Sequence, residues 1–169
     1  MRRIEAAAGS AVFLLVAPGV VAGLIPYLLT GWESTNPPAI VELIGGVLIV
    51  AGAAVLIHAF ARFVVEGSGT PAPVAPTERL VVGGLYRYVR NPMYVAVAAT
   101  IVGQALLLGR PALLAWAALF WLTVAAFVYG YEEPTLSEKF GAEYDAYRQA
   151  VPTWPPRLQP WQPPNEAAD

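Results

Sequence analysis

The chain has 169 residues, 57% of them hydrophobic and 13% charged, with a mean hydropathy of +0.54. Soluble domains carry about a quarter charged residues, so the composition excludes an ordinary soluble enzyme. At about 20 apolar residues per spanning helix, the length admits several membrane spans and no large separate domain. Ten Lys and Arg against twelve Asp and Glu give no basic excess for a nucleic-acid partner, and the absence of cysteine excludes disulfides, thiolate metal ligands and a cysteine nucleophile.

The first apolar stretch covers about residues 6–29, behind Arg2 and Arg3. It is longer than the 7–15-residue core of a secretory signal, and Pro18-Gly19 and Pro26 suit a kinked span packed against neighbours. A retained span is therefore expected. The second stretch, about residues 38–65, carries Gly45, Gly46 and Gly52, small residues that let helix backbones approach closely. Residues 66–89 are rich in Gly, Pro and charge and read as a connecting segment with a flexible glycine pair. A third span is expected over about 92–108, because Asn91 at the N-cap and Pro92 at the first helical position make a good helix start. Gly109-Arg110-Pro111 reads as a tight turn, and the fourth span comes next over about 112–131.

Beyond it, Leu136, Phe140, Tyr144, Tyr147 and Val151 recur at helical spacing. They predict an amphipathic helix over about 134–150 with an interruption at Gly141, its apolar face suited to the membrane surface or to the bundle. The tail, residues 151–169, is too rich in proline for a helix, and Trp154 and Trp161 suit anchoring at the headgroup level. The expected fold is all-α: a single-domain, polytopic membrane helix bundle of about four spans with a cytoplasmic amphipathic C-terminal helix. Arg2, Arg3, Arg62, Arg79, Arg87, Arg90, Lys139, Arg148 and Arg157 fall on one side of such a bundle and Arg110 alone on the other. The positive-inside bias places both termini and the segment before the third span in the cytoplasm.

Two segments on that side hold groups that packing in a membrane does not require. The first, from Thr77 to Tyr94, joins a glycine pair, three tyrosines and three arginines to a helix N-terminus. Such a terminus offers unpaired backbone N–H groups and a partial positive charge, a seat for a carboxylate or phosphate. The second is Glu132-Glu133, directly after an apolar span. Carboxylates there are costly to bury and tend to face a cavity or partner. Neighbours on a helix point about 100° apart, so one glutamate is expected to face inward while the other stays wet. Pro134 is expected to bias Glu133 away from helical geometry. An acidic pair beside a basic, helix-capped loop suits a ligand carrying both signs of charge. His58 is a lone intramembrane histidine, Glu42 is expected to snorkel at the opposite surface, and Gln104 suits interhelical hydrogen bonding. No metal-ligand cluster, catalytic-triad spacing or nucleotide fingerprint is found.

Taken together, Gly84-Leu85-Tyr86-Arg87-Tyr88-Val89-Arg90-Asn91-Pro92-Met93-Tyr94, then Glu132-Glu133-Pro134-Thr135-Leu136, then Phe140-Gly141-Ala142-Glu143-Tyr144, Tyr147 and Val151-Pro152 resemble the isoprenylcysteine carboxyl methyltransferases and the related phospholipid N-methyltransferases. The resemblance spans about residues 77–156. It implies S-adenosylmethionine as methyl donor, with Glu78, Arg79, Leu80, Val81, Tyr86, Asn91, Pro92, Met93, Tyr94, Glu132 and Glu133 lining its site. Carboxylates can stabilise the donor's ammonium and sulfonium, and tyrosine faces attract such cations. His58, Arg90 and Tyr129 are taken as substrate-proximal, and no general base is assigned.

The acceptor implied is a lipid or membrane-dissolved nucleophile, reached at the cytoplasmic face of a bacterial or archaeal plasma membrane. A phospholipid amine or a small hydrophobic nucleophile fits. Prenylcysteine methylators place an Arg about one turn before the glutamates, whereas no Arg or Lys lies between Arg110 and Lys139 here, which argues against a prenylcysteine carboxylate. The competing expectations are a nicotinamide-dependent membrane reductase, a class with a similar C-terminal half, and a non-enzymatic lipid-binding or assembly protein whose arginines meet anionic headgroups.

Overall fold

The computed structural model describes residue 12, residues 16–66 and residues 79–162. Among these residues the chain forms five helices: α1 (Val16–Thr30), α2 (Ala39–Glu66), α3 (Pro92–Leu108), α4 (Pro111–Phe140) and α5 (Ala142–Ala150). A single 3-10 turn, Gly84–Arg87, stands between α2 and α3. Two helices, α2 and α4, are long and apolar enough to cross a membrane, and α1 and α3 are shorter apolar helices. Their outer faces are apolar and open: Leu43, Val47, Val50 and Ile57 on α2 and Leu119 and Leu122 on α4 are all exposed, Val50 by 70%. Such a belt has no favourable partner in water. The start of the first expected span and the end of the tail lie outside the described residues.

The pairing of α2 with α3 is the most extensive in the bundle, and glycine is what permits it. A Cβ on Gly45 would stand 2.6 Å from the Gly103 carbonyl oxygen, and one on Gly103 would stand 2.7 Å from that of Gly45. Gly52 meets the Ala96 carbonyl in the same way, at 2.8 Å. Gly46, expected to share this role, has open space on its Cβ side. The physical reason is angular, since neighbouring residues on a helix cannot face the same partner. Gly45→Ala and Gly103→Ala are therefore expected to destabilise the protein by about 1–3 kcal/mol through overpacking, while Gly46→Ala is neutral. Thermal unfolding in detergent checks this, and a Gly46→Ala loss as large as that of Gly45→Ala contradicts the assigned faces.

Two helices share one device. In α1 a π-turn covers Val20–Leu24 two residues ahead of Pro26, and in α4 another covers Val128–Glu132 two residues ahead of Pro134. Proline has no N–H and its ring crowds the carbonyl four residues back. Widening the preceding turn lets Ile25 and Glu133 donate five residues back, to Val20 and Val128, and the helix resumes. The carbonyls so released are satisfied from outside α1: Gln104 Nε2 donates to Ala22 O at 2.6 Å and Trp116 Nε1 to Val21 O at 2.9 Å. Trp32 Nε1 donates to Gln104 Oε1, so Gln104 joins helices as expected.

The fourth span and the first half of the amphipathic helix are one helix, not two. Glu133 is helical, with φ −62° and ψ −45°, contrary to the bias expected from Pro134, because the π-turn has already taken up the strain. The break at Gly141 is present, with φ +55°. Past it, Tyr144, Tyr147 and Val151 are buried in a cluster with Leu136, Phe140, Leu80 and Val82. The apolar face thus meets the loop before α3 and not the membrane surface.

Candidate active site

A cavity of about 550 Å³ opens where the helix ends, the loop before α3 and α5 converge. One arm is apolar, walled by Ala17 and Val21 of α1, Phe60 of α2, Val97 of α3 and Phe120 and Phe127 of α4. The other end is lined by Tyr86, Arg90, Asn91, Tyr94, Glu132, Glu133, Tyr144 and Tyr147. An apolar body with a few convergent polar groups is the usual form of a small-molecule site.

Both glutamates line this cavity, although helix geometry alone would let one of them stay wet. The π-turn adds a residue to the helical turn that ends in Glu132, and so re-aims the side chains beyond it. Their surroundings differ. Glu133 Oε1 is 2.7 Å from Arg90 Nη1, with side chains only 12% and 9% exposed, and its Oε2 lies 3.9 Å from Arg148. Glu132 Oε2 accepts a hydrogen bond from Tyr94 Oη at 3.1 Å. Among the described residues Glu132 has no Lys or Arg within ion-pair distance. It is a largely buried carboxylate lining a cavity, within the field of Arg90 but without an ion-pair contact among the described residues.

Across the polar end lies the start of α3. Asn91 occupies the N-cap position and Pro92 the first helical one, as expected, but Asn91 makes no side-chain cap. Its Nδ2 donates instead to Thr153 O, a long bond of 3.4 Å. The first-turn amides of α3 are without an intrahelical acceptor, as in any helix, and the N-cap side chain does not take them. The first residues of α3 and the Glu132 carboxylate line one cavity.

The 3-10 turn that carries Tyr86 is pinned to α2. Glu66 pairs with Arg62 at 2.8 Å and accepts the Gly83 N–H at 2.9 Å. Gly84 has φ +58°, and a Cβ there would come within 2.7 Å of both His58 Nε2 and Arg62 Nε. The pair expected to be flexible is a close-packed contact that only glycine fits. Tyr147 Oη donates to the Tyr86 carbonyl at 2.7 Å. Burial holds the phenols of Tyr86 and Tyr147 well above their ordinary pKa, so both stay protonated and neither supplies a base.

Of the residues singled out in the sequence, Leu80, Val81, Tyr86, Arg90, Asn91, Pro92, Met93, Tyr94, Glu132 and Glu133 line the cavity together. Arg79 is exposed and outside its lining, and Glu78 lies outside the described residues. Two of the three substrate-proximal residues are elsewhere. His58 is exposed on α2, packed beside Gly84, because α2 turns that face to the loop and not to the cavity. Tyr129 is exposed and accepts a hydrogen bond from Trp154 Nε1 at 2.9 Å, since the wide turn points it outward. Arg90 does line the cavity; its Nη1 and Nη2 are held by protein partners, while its buried Nε has no hydrogen-bond partner among the described residues. Tyr144 and Tyr147 show in the sequence only as part of an apolar face. The signal for more is a pair of hydroxyl-bearing aromatics one helical turn apart.

The tail is also tied down. Trp161 packs against Tyr147 with ring centres 5.3 Å apart and Trp154 against Trp121 of α4 at 4.7 Å, both pairs tilted. Both tryptophans, expected as membrane anchors, pack on protein.

A family model described as phospholipid methyltransferase matches residues 40–143, more than half of the chain, from the first turn of α2 into α5. No curated protein and no solved structure matches.

Proposed function

The chain belongs to the phospholipid methyltransferase family, a class of S-adenosylmethionine-dependent integral membrane enzymes, and from that premise we propose that the cavity joins the methyl donor to a membrane-borne acceptor. The observation that carries this reading is the carboxylate of Glu132, which has no ion-pair partner among the described residues, lining one cavity with the uncapped start of α3. The donor carries a carboxylate, an ammonium and a sulfonium, so a site with one seat for each sign of charge fits it.

S-adenosylmethionine supplies a methyl group already activated on sulfur. The chain's own residues do the rest by placement. Glu132 attracts the cationic part of the ligand, and its hydrogen bond from Tyr94 fixes the carboxylate's direction. The amides at the start of α3 hold the anionic part. Tyr86 and Tyr94 line the same space, and aromatic rings there would attract a cation. Methyl transfer is an in-line displacement, so alignment and exclusion of water supply most of the acceleration, and the apolar arm serves both. It accepts the apolar part of a lipid entering sideways from the bilayer and leaves the nucleophile at the polar end. The family supports a phospholipid class of acceptor, and the arginine distribution supports a reaction at the cytoplasmic face.

Calorimetric titration of the purified chain with S-adenosylmethionine tests the donor, and absence of binding overturns the reading. Incubation with radiolabelled donor and a lipid extract is expected to put label into the amine-bearing phospholipid fraction. Label recovered only in non-lipid products removes the phospholipid acceptor while leaving the donor in place.

A further inference from the structure

The family match ends at residue 143 and so says nothing of the tail beyond Val151. In the structure it runs antiparallel to the loop that enters α3 and supplies that loop's backbone partners. Arg90 N–H donates to Pro152 O, Arg157 N–H to Tyr88 O and Trp161 N–H to Arg87 O, each at 2.9 Å. The loop's own 3-10 turn does not take up these three groups, and groups left unpaired near a buried site are costly. No residue of 152–161 lines the cavity among the described residues. Whatever the tail contributes, it contributes through the loop.

Arg90 is where the tail meets the site. Its Nη1 reaches Glu133 at 2.7 Å and Tyr144 Oη at 3.0 Å, and its Nη2 donates to Thr153 Oγ1. One planar guanidinium thus ties loop, α4, α5 and tail, a geometry that the single ammonium of lysine does not reproduce. Beside it, Thr153 O holds the Asn91 side chain away from the α3 cap. Left to itself, an N-cap Asn turns its oxygen onto the first-turn amides. Those same amides are the seat proposed for the ligand's anionic group.

We propose that Arg90 and Thr153 are positioning residues, and that the tail acts as a strap that keeps the start of α3 uncapped for the methyl donor. This rests on the donor reading of the cavity, and the experiment separates the two. Thr153→Val and Thr153→Ser are made in the full-length chain. Donor affinity is measured by calorimetry and KM and kcat by turnover, with hydrogen exchange monitored at the amides of Arg90, Arg157 and Trp161.

Thr153→Val is expected to speed exchange at the three amides. It is also expected to raise the donor dissociation constant and KM by about five- to tenfold, the net size of one ordinary hydrogen bond, with kcat within about twofold. Thr153→Ser, which keeps the hydroxyl, is expected to match the unsubstituted chain in all three. Faster exchange with unchanged affinity overturns the proposal and leaves the donor reading standing, because the strap is then only structural. Unchanged exchange in Thr153→Val overturns it as well, because the Arg90–Thr153 bond then holds nothing. If the unsubstituted chain binds no donor, the donor reading falls and this proposal falls with it.

Discussion

Glu132→Gln is expected to weaken binding of S-adenosylmethionine by about 10- to 100-fold, the value of a hydrogen-bonded charge in a shielded site. The demethylated product, S-adenosylhomocysteine, should lose much less. The substitution keeps the volume and the hydrogen bond from Tyr94 but removes the one cavity carboxylate without a cation among the described residues. Donor and product differ by the sulfonium charge, so a carboxylate that senses that charge tells them apart. Calorimetry with both ligands is the check. Equal losses place Glu132 on the ammonium, which both share, and no loss for either removes it from the site.

The second large effect concerns the ion pair beside it. Arg90 and Glu133 are both largely buried, and removing one partner of such a pair leaves the other charge uncompensated, at about 3–5 kcal/mol. Arg90→Met is expected to lower the thermal midpoint in detergent by about 6 °C or more. The half-exposed Arg148, 3.9 Å from Glu133, compensates only in part. The double variant Arg90→Met, Glu133→Leu is expected to recover most of the stability, since apolar replacements of a buried pair are well tolerated. It is not expected to recover donor affinity, because the tie to Thr153 is gone. A double variant as unstable as Arg90→Met alone shows that the two residues are not an isolated pair.

This partition of the glutamates is not legible in the sequence. Adjacent identical residues at a helix end give no sign of which one will meet an arginine 43 positions away. The same holds for His58. Its place in an apolar stretch makes it a candidate, but only the close packing of Gly84 on α2 shows that it serves the loop's approach. Tyr129 lies outside the cavity lining for a related reason. A helical wheel drawn at constant pitch misplaces every residue within and beyond the π-turn at Val128–Glu132.

What the sequence determined alone is substantial, because it depends on local chemistry. Long apolar stretches, a charge deficit and proline and glycine at helix ends specify a helical membrane protein, and α3 begins and ends where Asn91, Pro92 and Gly109 say it should. The loop residues and glutamates that line the cavity are legible in the same pattern. Tertiary structure decided how they are used. It joined the fourth span to the amphipathic helix, turned both glutamates inward, paired one and left the other open. It also laid a tail with no periodicity against the loop. These outcomes depend on contacts between residues about 40 to 80 positions apart, and on prolines whose effect was absorbed one turn earlier. Local pattern carries no record of either, because the partner that satisfies a buried charge or carbonyl is chosen by packing.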